Sequence, residues 1–294
     1  MPTPTSQGFP ATELSFDAIG TRWRIDTARP ISTSERAALD ALIEQFDRTW
    51  SRFRGDSVVA AAMLAPGTFD FGADAPALFD LYRRLSEVTG GAESPLIGAA
   101  MDTLGYDASY SLEPRGTPGP APVWDEVAHL DGTILTTTVA VSIDVGAAGK
   151  GYLVDRVAEM LRSLGHEEYT VDASGDLLHV GPPIRVALEH PFDPALAVGV
   201  LTLSGGALCA SASNRRAWGS GLHHVLDGRT GQPTSRVVAT WATAETAALA
   251  DGAATALFFT CPAELRDALP IEGLRMFTDG RVEYSPHFGA ELFR

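Results

Sequence analysis

The sequence predicts an α+β fold, for three reasons. Two segments in the first third of the chain, and two in the second half, carry apolar residues at helical spacing. Short stretches of β-branched and apolar residues, bounded by turn residues, separate and follow these segments. No internal repeat and no linker-like change of composition divides the 294 residues. We therefore expect a disordered lead at residues 1–14 and a single domain over residues 15–294.

The first two helices are predicted from their ends as well as from their periodicity. Ser32 and Glu35 form a capping-box pattern at the start of the first helix. Pro76 suits the first turn of the second helix, which is expected to end at the Gly90–Gly91 pair. The apolar faces consist of Leu39, Leu42, Ile43, Phe46 and Trp50 in the first helix, and of Leu78, Leu81, Tyr82, Leu85 and Val88 in the second.

Strands and loops follow from alternation and from turn-forming residues. Gly20–Thr27 alternates as an edge strand would, and Thr133–Asp144 is a strong signal for a pair of strands. Residues 108–122 are rich in Pro, Gly and Ser and are predicted to form a loop. Further strands are expected at Glu168–Asp172, Ile184–Glu189, Val198–Leu203, His223–Leu226, Val237–Ala242, Met276–Asp279 and Val282–Ser285.

Composition argues against several classes of function. The formal net charge of −15 repels nucleic-acid phosphates and anionic membranes, so neither is expected as a partner. No apolar run is long enough to span a membrane. The N-terminus has neither a signal-peptide pattern nor a lipobox, which predicts a cytoplasmic location. The two cysteines, Cys209 and Cys261, lack CxxC or zinc-site spacing and are expected to be buried free thiols.

The segment Asp144–Asp155 (DVGAAGKGYLVD) is predicted to run from the end of a strand, through glycines, into a helix. This geometry presents backbone N–H groups to an anion at a helix N-terminus. Lys150, the only lysine in the chain, can neutralise a phosphate there, and Asp144 can accept hydrogen bonds from a ribose or a base. The segment fits neither the Walker A pattern nor GxGxxG, so a tight structural turn is the alternative.

A helix of small residues is predicted over Thr246–Phe259. Asp251 and Thr255 are four residues apart in it and therefore project from one face. A carboxylate and a hydroxyl so placed can bind a hard cation such as Mg²⁺. The alternative is local pairing of the aspartate and a hydrogen bond from the threonine back to the helix carbonyls.

The segment His223–Pro233 (HHVLDGRTGQP) couples a short strand to a turn. Adjacent residues of a strand point to opposite faces, so at most one of the two histidines can face a pocket. His224 is the candidate for a general base or a hydrogen-bond donor, with a structural hydrogen bond as the alternative. Arg229 can bind a phosphate or brace Asp227.

Taken in order, these motifs resemble those of the FAD:protein FMN transferases, also called the thiamine-biosynthesis lipoprotein family. The resemblance covers about residues 15–285 and rests on DxGxxxKGYxxD followed by DxRTGxP and DxxxT. Other matching segments are Gly20–Thr21, Ser51–Phe53 with Ser57, Gly91–Pro95, Leu104–Asp107 and Gly175–Asp176.

The resemblance implies a mixed α/β, flavin transferase-like fold and names the site residues. It implies that Mg²⁺ is held by the carbonyl of Ala147, the carboxylate of Asp251 and the hydroxyl of Thr255. His224 and Asp251 are the implied candidates for the catalytic base, with no choice between them. The implied FAD contacts are Ile19, Phe53, Ala92, Glu93, Ser94, Asp144, Lys150 and Leu226.

The implied reaction moves FMN from FAD to a Thr or Ser hydroxyl of a partner flavoprotein, through a phosphoester bond, and releases AMP with the help of Mg²⁺. Two alternatives stay open: an FAD pyrophosphatase that yields FMN and AMP, and a non-catalytic FAD-binding protein. Departures from the family pattern favour the binding protein: Met63 stands where an Asn is usual, Ser94 replaces an Asp, and Gly228 replaces the Pro of DPRTG. The intact pair Asp251 and Thr255 favours an enzyme, because a binding protein needs no magnesium pair.

Overall fold

The computed structural model describes residues 12–293. The expected lead therefore lies outside the described residues up to position 11, whereas its last residues, Thr12–Leu14, belong to a strand. Two compact units are formed by the described chain. Unit 1 contains the residues up to Leu42, Ala148–Asn214 and the residues from Arg236 onward; unit 2 contains Ile43–Ala147 and Arg215–Ser235. The single domain over residues 15–294 stays a prediction.

The helices confirm the ends that the sequence predicts. At the first, Ser32 N donates to the Glu35 carboxylate at 2.7 Å and Glu35 N donates to Ser32 Oγ at 3.3 Å, which completes the capping box. No helix of the described residues is long and apolar enough to span a membrane. The helices are α1 (Thr33–Trp50), α2 (Val58–Leu64), α3 (Ala75–Val88), α4 (Gly98–Thr103), α5 (Trp124–Val127), α6 (Gly149–Ser163), α7 (Ala247–Ala256) and α8 (Pro262–Ala268).

Short strands make up most of the remaining regular structure. They are β1 (Thr12–Ala18), β2 (Thr21–Thr27), β3 (Gly67–Asp70), β4 (Ala128–Asp131), β5 (Ile134–Thr137), β6 (Tyr169–Asp172), β7 (Asp176–Val180), β8 (Ile184–Glu189), β9 (Ala197–Leu203), β10 (Gly206–Ala212), β11 (Ala217–Trp218), β12 (Leu222–His223), β13 (Leu226–Asp227), β14 (Gln232–Pro233), β15 (Val237–Ala244), β16 (Glu272–Phe277), β17 (Val282–Tyr284) and β18 (Ala290–Leu292).

Unit 1 is built on an eight-stranded antiparallel sheet in the order β1-β2-β6-β7-β10-β15-β16-β17. The prediction that Gly20–Thr27 forms an edge strand is wrong. The preceding residues, expected to belong partly to the lead, form β1 and pair with β2 from Thr12↔Thr27 to Ala18↔Thr21. β1 therefore takes the edge, and β2 has a partner on both sides.

Two helices of unit 1 pack on this sheet and on each other. α6 contacts β6 and β7, and α7 contacts β10 and β15. Leu153, Val157 and Leu161 follow helical spacing and are fully buried, as the sequence predicts. A second part of the core lies where the large sheet meets the three-stranded sheet β18-β9-β8; its largest members include Leu188, Leu201, Leu208, Trp241 and Leu274.

Unit 2 combines α2 to α5 with small antiparallel sheets. The predicted strand pair at Thr133–Asp144 is only half correct, because β5 ends at Thr137 and pairs with β3 and β4. Residues 138–145 form no ladder. Their backbone instead makes isolated hydrogen bonds, from Val141 N to Ala62 O and from Asp144 N to Pro95 O. Asp144 therefore does not close a strand.

Other sequence-based expectations are confirmed in full or in part. The loop at residues 108–122 has no helix or strand, and α3 precedes the Gly90–Gly91 pair as expected. His223–Leu226 is not one strand but parts of β12 and β13, with His224 in the bend between them. Both cysteines are free thiols, although Cys261 is only half-buried.

Gly151 allows α6 and α7 to approach each other closely. A Cβ at this position would lie 2.2 Å from the carbonyl oxygen of Ala247 and 2.7 Å from Cβ of Asp251. We expect Gly151→Ala to lower the free energy of unfolding by about 1–3 kcal/mol, because the helix backbone must move. Gly55→Ala is the matched control, since nothing lies within 4 Å of its Cβ position. Equal urea midpoints for the two variants would contradict this account of the helix contact.

Candidate functional site

The lysine of unit 1 is paired inside the fold. Lys150 lies in the first turn of α6, where its Nζ forms an ion pair with Asp176 and donates to Ala173 O at 3.0 Å. Burial alone would lower the pKa of Lys150, but the negative charges of Asp176 and Asp251 raise it above its usual value. The ammonium is therefore charged at neutral pH.

The second carboxylate of this group belongs to Asp251 on α7. Asp251 is 3% exposed, and its Oδ2 accepts a hydrogen bond from Gly151 N at 2.9 Å. Burial, followed by the charge of Asp176, raises the pKa of Asp251 well above its usual range. Two buried carboxylates therefore share one ammonium, and Asp251 would ionise fully only when a bound cation compensates its charge.

The chemistry of these residues fits a magnesium ion. Asp251 offers a carboxylate, and Thr255 places a hydroxyl one helical turn later at a half-buried position. Among residues 12–293 no group of three or more His, Cys, Asp or Glu side chains is arranged to hold a metal. The predicted set of Ala147, Asp251 and Thr255 has a single carboxylate, so it is not a group of this type. The set stays a prediction, and Ala147 belongs to unit 2.

Asp155 ties α6 to the start of α7. Its two carboxylate oxygens accept hydrogen bonds from Ala247 N at 2.7 Å and Ala248 N at 2.8 Å. These are first-turn N–H groups of α7, which have no acceptor within the helix. Burial nevertheless raises the pKa of Asp155 to about 6. Sequence reasoning gave no role to this aspartate, although it closes the DVGAAGKGYLVD motif.

A buried arginine organises the polar groups of unit 2. Arg52 is 4% exposed; its Nε donates to Asp144 at 2.5 Å, and its remaining nitrogens donate to Asp102 at 2.9 Å and to Tyr106 O at 2.6 Å. The guanidinium carbon also lies 4.3 Å from the centre of the Phe53 ring. Sequence reasoning did not single out Arg52, because one charged residue among polar ones carries no periodic signal.

Asp144 is held as an ionised acceptor. Burial alone would raise its pKa, but the charge of Arg52 and a 2.7 Å hydrogen bond from Gly146 N hold the pKa of Asp144 below its usual value. One oxygen faces the arginine and the other faces the turn amide. The carboxylate can therefore accept a further hydrogen bond from a ligand hydroxyl or N–H while it stays charged.

Aromatic rings surround Arg52 in unit 2. Phe53, Tyr106, Tyr110 and Trp218 form a continuous group, in which Tyr106 stacks on Trp218 with ring centres 5.4 Å apart. Leu226, another predicted flavin contact, is buried in the apolar cluster against which Phe53 packs. The structure thus brings together three predicted contacts, Phe53, Asp144 and Leu226, within unit 2.

The remaining predicted flavin contacts of unit 2 lie beside the β13–β14 hairpin. Ala92 accepts a 2.7 Å hydrogen bond from Gly228 N, and Glu93 is 3% exposed. Ser94 Oγ accepts from Leu96 N at 3.2 Å. Arg229 was expected to bind a phosphate or to brace Asp227. In the structure it braces Asp227, to which its Nε donates at 2.8 Å and a terminal nitrogen at 2.6 Å.

The two histidines of unit 2 differ in their surroundings. His223 is engaged on both ring nitrogens, with Thr234 O at 2.7 Å and Val225 N at 3.2 Å. His224 Nδ1 is buried and has no hydrogen-bond partner among the described residues. Burial and the positive charge of Arg216 lower the pKa of His224 to about 3. The imidazole is therefore neutral at pH 7 and, with this pKa, a weak base.

Ile19 occupies the turn of the β1–β2 hairpin in unit 1. Its φ of 42° is followed by a φ of 74° at Gly20, so both turn residues are left-handed. This conformation is unfavourable for a β-branched residue and costs about 1 kcal/mol or more. Such strain at a predicted flavin contact is consistent with a functional constraint on the turn.

Comparison with known proteins identifies the class of this fold. The fold is that of flavin transferases: the structure of the flavin transferase ApbE from Vibrio cholerae covers 95% of this chain and 99% of its own, with a TM-score of 0.78 at 24% identity. An FAD:protein FMN transferase of Klebsiella pneumoniae is 27% identical over 94% of this chain and 86% of its own length. A relative of the same name from Rhodobacter capsulatus is 27% identical over 96% of this chain, which spans 59% of that longer protein.

The family follows from the match to a family model. A sequence model of the ApbE family matches residues 19–276. The chain therefore belongs to the ApbE family.

The pairing of Arg52 is expected to stabilise unit 2 strongly. Arg52→Met leaves Asp144 and Asp102 facing each other without a counter-charge, so we expect a loss of about 3 kcal/mol in the free energy of unfolding. Arg83→Met is the matched control, because Arg83 also pairs with two carboxylates but its side chain is 57% exposed. The control should cost below about 1 kcal/mol. Similar losses in chemical denaturation would contradict the assignment.

The raised pKa of Asp155 predicts a specific pH dependence of stability. Its folded pKa of about 6 exceeds the usual 3.8, so the folded protein binds the proton more tightly than the unfolded chain. This contribution is fully present below about pH 4 and is lost as the pH rises through about 6. We expect the free energy of unfolding of the unmodified protein, minus that of Asp155→Asn, to fall by on the order of 1–3 kcal/mol over this range. A flat or rising difference would contradict it.

Proposed function

We propose that this protein transfers FMN from FAD to a Thr or Ser hydroxyl of a partner flavoprotein, with release of AMP and dependence on Mg²⁺. Membership of the ApbE family, whose relatives are named FAD:protein FMN transferases, supports the reaction. The observation that carries the metal dependence is the buried pair of carboxylates, Asp176 and Asp251, with Lys150 as their one ammonium.

The residues proposed to hold Mg²⁺ are Ala147, Asp251 and Thr255. Asp251 stays ionised only if its charge is compensated, because burial and Asp176 raise its pKa. A divalent cation would provide that compensation and would neutralise charge on the pyrophosphate oxygens of FAD. Lys150 then has a supporting role, since its ammonium holds Asp176 in place and balances that carboxylate.

The bond changes of the reaction balance without a further reactant. The acceptor hydroxyl oxygen bonds to the phosphorus of the FMN half, the bond from that phosphorus to the bridging oxygen breaks, and AMP leaves. The hydroxyl proton needs an acceptor. The proposed acceptors are His224, whose Nδ1 is unpaired among the described residues, and Asp251. With a pKa of about 3 the imidazole is a weak base, so nearby phosphate charge has to raise that pKa before His224 accepts the proton.

The flavin contacts proposed for unit 2 are supported by their chemistry. Phe53 offers a ring for stacking, and Asp144 offers an ionised acceptor that Arg52 fixes in position. Leu226 adds an apolar contact, and Ala92, Glu93 and Ser94 lie beside the hairpin that follows it. Ile19 and Lys150 are proposed to contribute from unit 1.

Asp251→Ala tests the metal assignment. We expect Mg²⁺-dependent transfer to an acceptor flavoprotein, measured by in-gel flavin fluorescence, to fall at least about 100-fold. Mg²⁺ should also no longer raise the melting temperature of this variant. Asp267→Ala is the control, because Asp267 is an exposed carboxylate on α8. Unchanged transfer in Asp251→Ala rules out the metal assignment.

The same assay separates the proposed reaction from its alternatives. AMP release that requires the acceptor, together with a fluorescent acceptor band, supports transfer. Formation of FMN and AMP without acceptor identifies a pyrophosphatase instead. Flavin binding without release of AMP under either condition identifies a binding protein.

A further inference from the structure

Tyr110 covers the ring that the proposed function assigns to the flavin. The rings of Phe53 and Tyr110 are parallel within 6°, and their centres are 5.0 Å apart. Tyr106 stands edge-on to both, with centre distances of 5.6 Å to Phe53 and 5.5 Å to Tyr110. The rings of Phe53 and Tyr110 therefore stack directly on each other, and the ring of Tyr106 packs against their edges.

The loop that carries Tyr110 is closed at its base. Leu112 N donates to Gly105 O at 2.8 Å, and Arg115 N donates to Thr103 O at 2.8 Å. A Cβ at Gly105 would lie 2.4 Å from Glu113 N, so the two ends of the loop are in direct contact.

A single carboxylate fixes the interior of the loop. Asp107 is 6% exposed and accepts hydrogen bonds from Ser109 N at 2.9 Å and Ser111 N at 3.1 Å, as well as from both serine hydroxyls at 2.7 Å. Arg115 pairs with the same carboxylate. The backbone on either side of Tyr110 is therefore anchored, and the ring can move only by rotation of its own side chain.

Burial does not hold Tyr110 in place. Its side chain is 50% exposed, and its φ of 49° is unfavourable for a bulky residue. The loop thus presents a half-exposed ring to Phe53, and rotation of that ring leaves the backbone unchanged. A ring held in this way can be displaced by a ligand that stacks better.

The spacing excludes a ligand between the two rings. Carbon atoms in contact are about 3.5–4.0 Å apart, so a ring inserted between Phe53 and Tyr110 would need their planes to be about 7 Å or more apart. The observed centre distance of 5.0 Å is too short for this. A planar ligand reaches the covered face of Phe53 only after Tyr110 has turned away.

We propose that Tyr110 is an internal competitor of the flavin, because its ring occupies the covered face of Phe53 until a flavin ring replaces it. This inference rests on the proposed function, which makes Phe53 a flavin contact. Any ring that stacks on this face must first displace Tyr110, so the phenol lowers the affinity of every such ligand by the same factor. The three-ring flavin has more stacking area than the phenol and can displace it.

The experiment compares ligand affinities of Tyr110 variants in the presence of Mg²⁺. We expect Tyr110→Ala to bind riboflavin and FMN about three- to tenfold more tightly than the unmodified protein, because no resident ring has to leave. Affinity for ADP, which has no flavin ring to stack on Phe53, should not change. Tyr110→Asn is a second ring-free variant, since asparagine tolerates the left-handed backbone.

Two further variants control for loss of the hydroxyl and loss of an exposed ring. Tyr110→Phe keeps the stack and should bind flavin as the unmodified protein does. Tyr284→Ala removes a tyrosine of unit 1 that is 56% exposed and should have no effect. Equal or weaker flavin binding in both ring-free variants overturns the inference and leaves the proposed function intact. Absence of flavin binding in every protein, the unmodified one included, overturns the proposed function and this inference with it.

Discussion

The buried charges of unit 1 determine how its two central helices must meet. Lys150 on α6 faces Asp176, and Asp251 on α7 accepts the N–H of Gly151. This last hydrogen bond forms only because a residue without Cβ sits where the helices touch. The lysine, the glycine and the helix of small residues are therefore parts of one arrangement. Burial and Asp176 raise the pKa of Asp251, so both carboxylates carry their full charge only with a compensating cation.

The buried carboxylate of unit 2 has its pKa shifted in the opposite direction. Asp144 has a lowered pKa because Arg52 and a turn amide stabilise its charge, whereas Asp251 has a raised one. A carboxylate with a lowered pKa, such as Asp144, stays ionised and can always accept hydrogen bonds from a ligand. A carboxylate with a raised pKa, such as Asp251, loses its proton when a cation binds beside it. The difference in electrostatic environment thus assigns different chemistry to two aspartates that look alike in the sequence.

Much of the fold and part of the site could be predicted from the sequence, and the limits have physical causes. Helix ends carry local signals, so the capping box at Ser32 and the start of α3 were correct. β10 was missed because its small residues show no alternation. β1 does alternate at Leu14, Phe16 and Ala18, and its hairpin with β2 is local, so this strand could have been predicted. Motif residues such as Asp251 could be named, whereas Arg52 could not. Its partners lie far away in sequence, at Asp102 and Asp144, and only the folded chain brings them together.

The departure from the family pattern at Gly228, in the β13–β14 hairpin, is explained by local packing and hydrogen bonding. A Cβ at Gly228 would lie 2.8 Å from Gly91 O and 3.2 Å from the Ser94 side chain, so the hairpin packs closely against this segment. Gly228 N also donates to Ala92 O at 2.7 Å, a bond that the proline of the family pattern lacks the N–H to form. Glycine at 228 therefore supplies a contact that a proline could not make. The substitution at 228 is thus accommodated by a hydrogen bond and close packing of its own, and it does not by itself favour a protein that binds flavin without turnover.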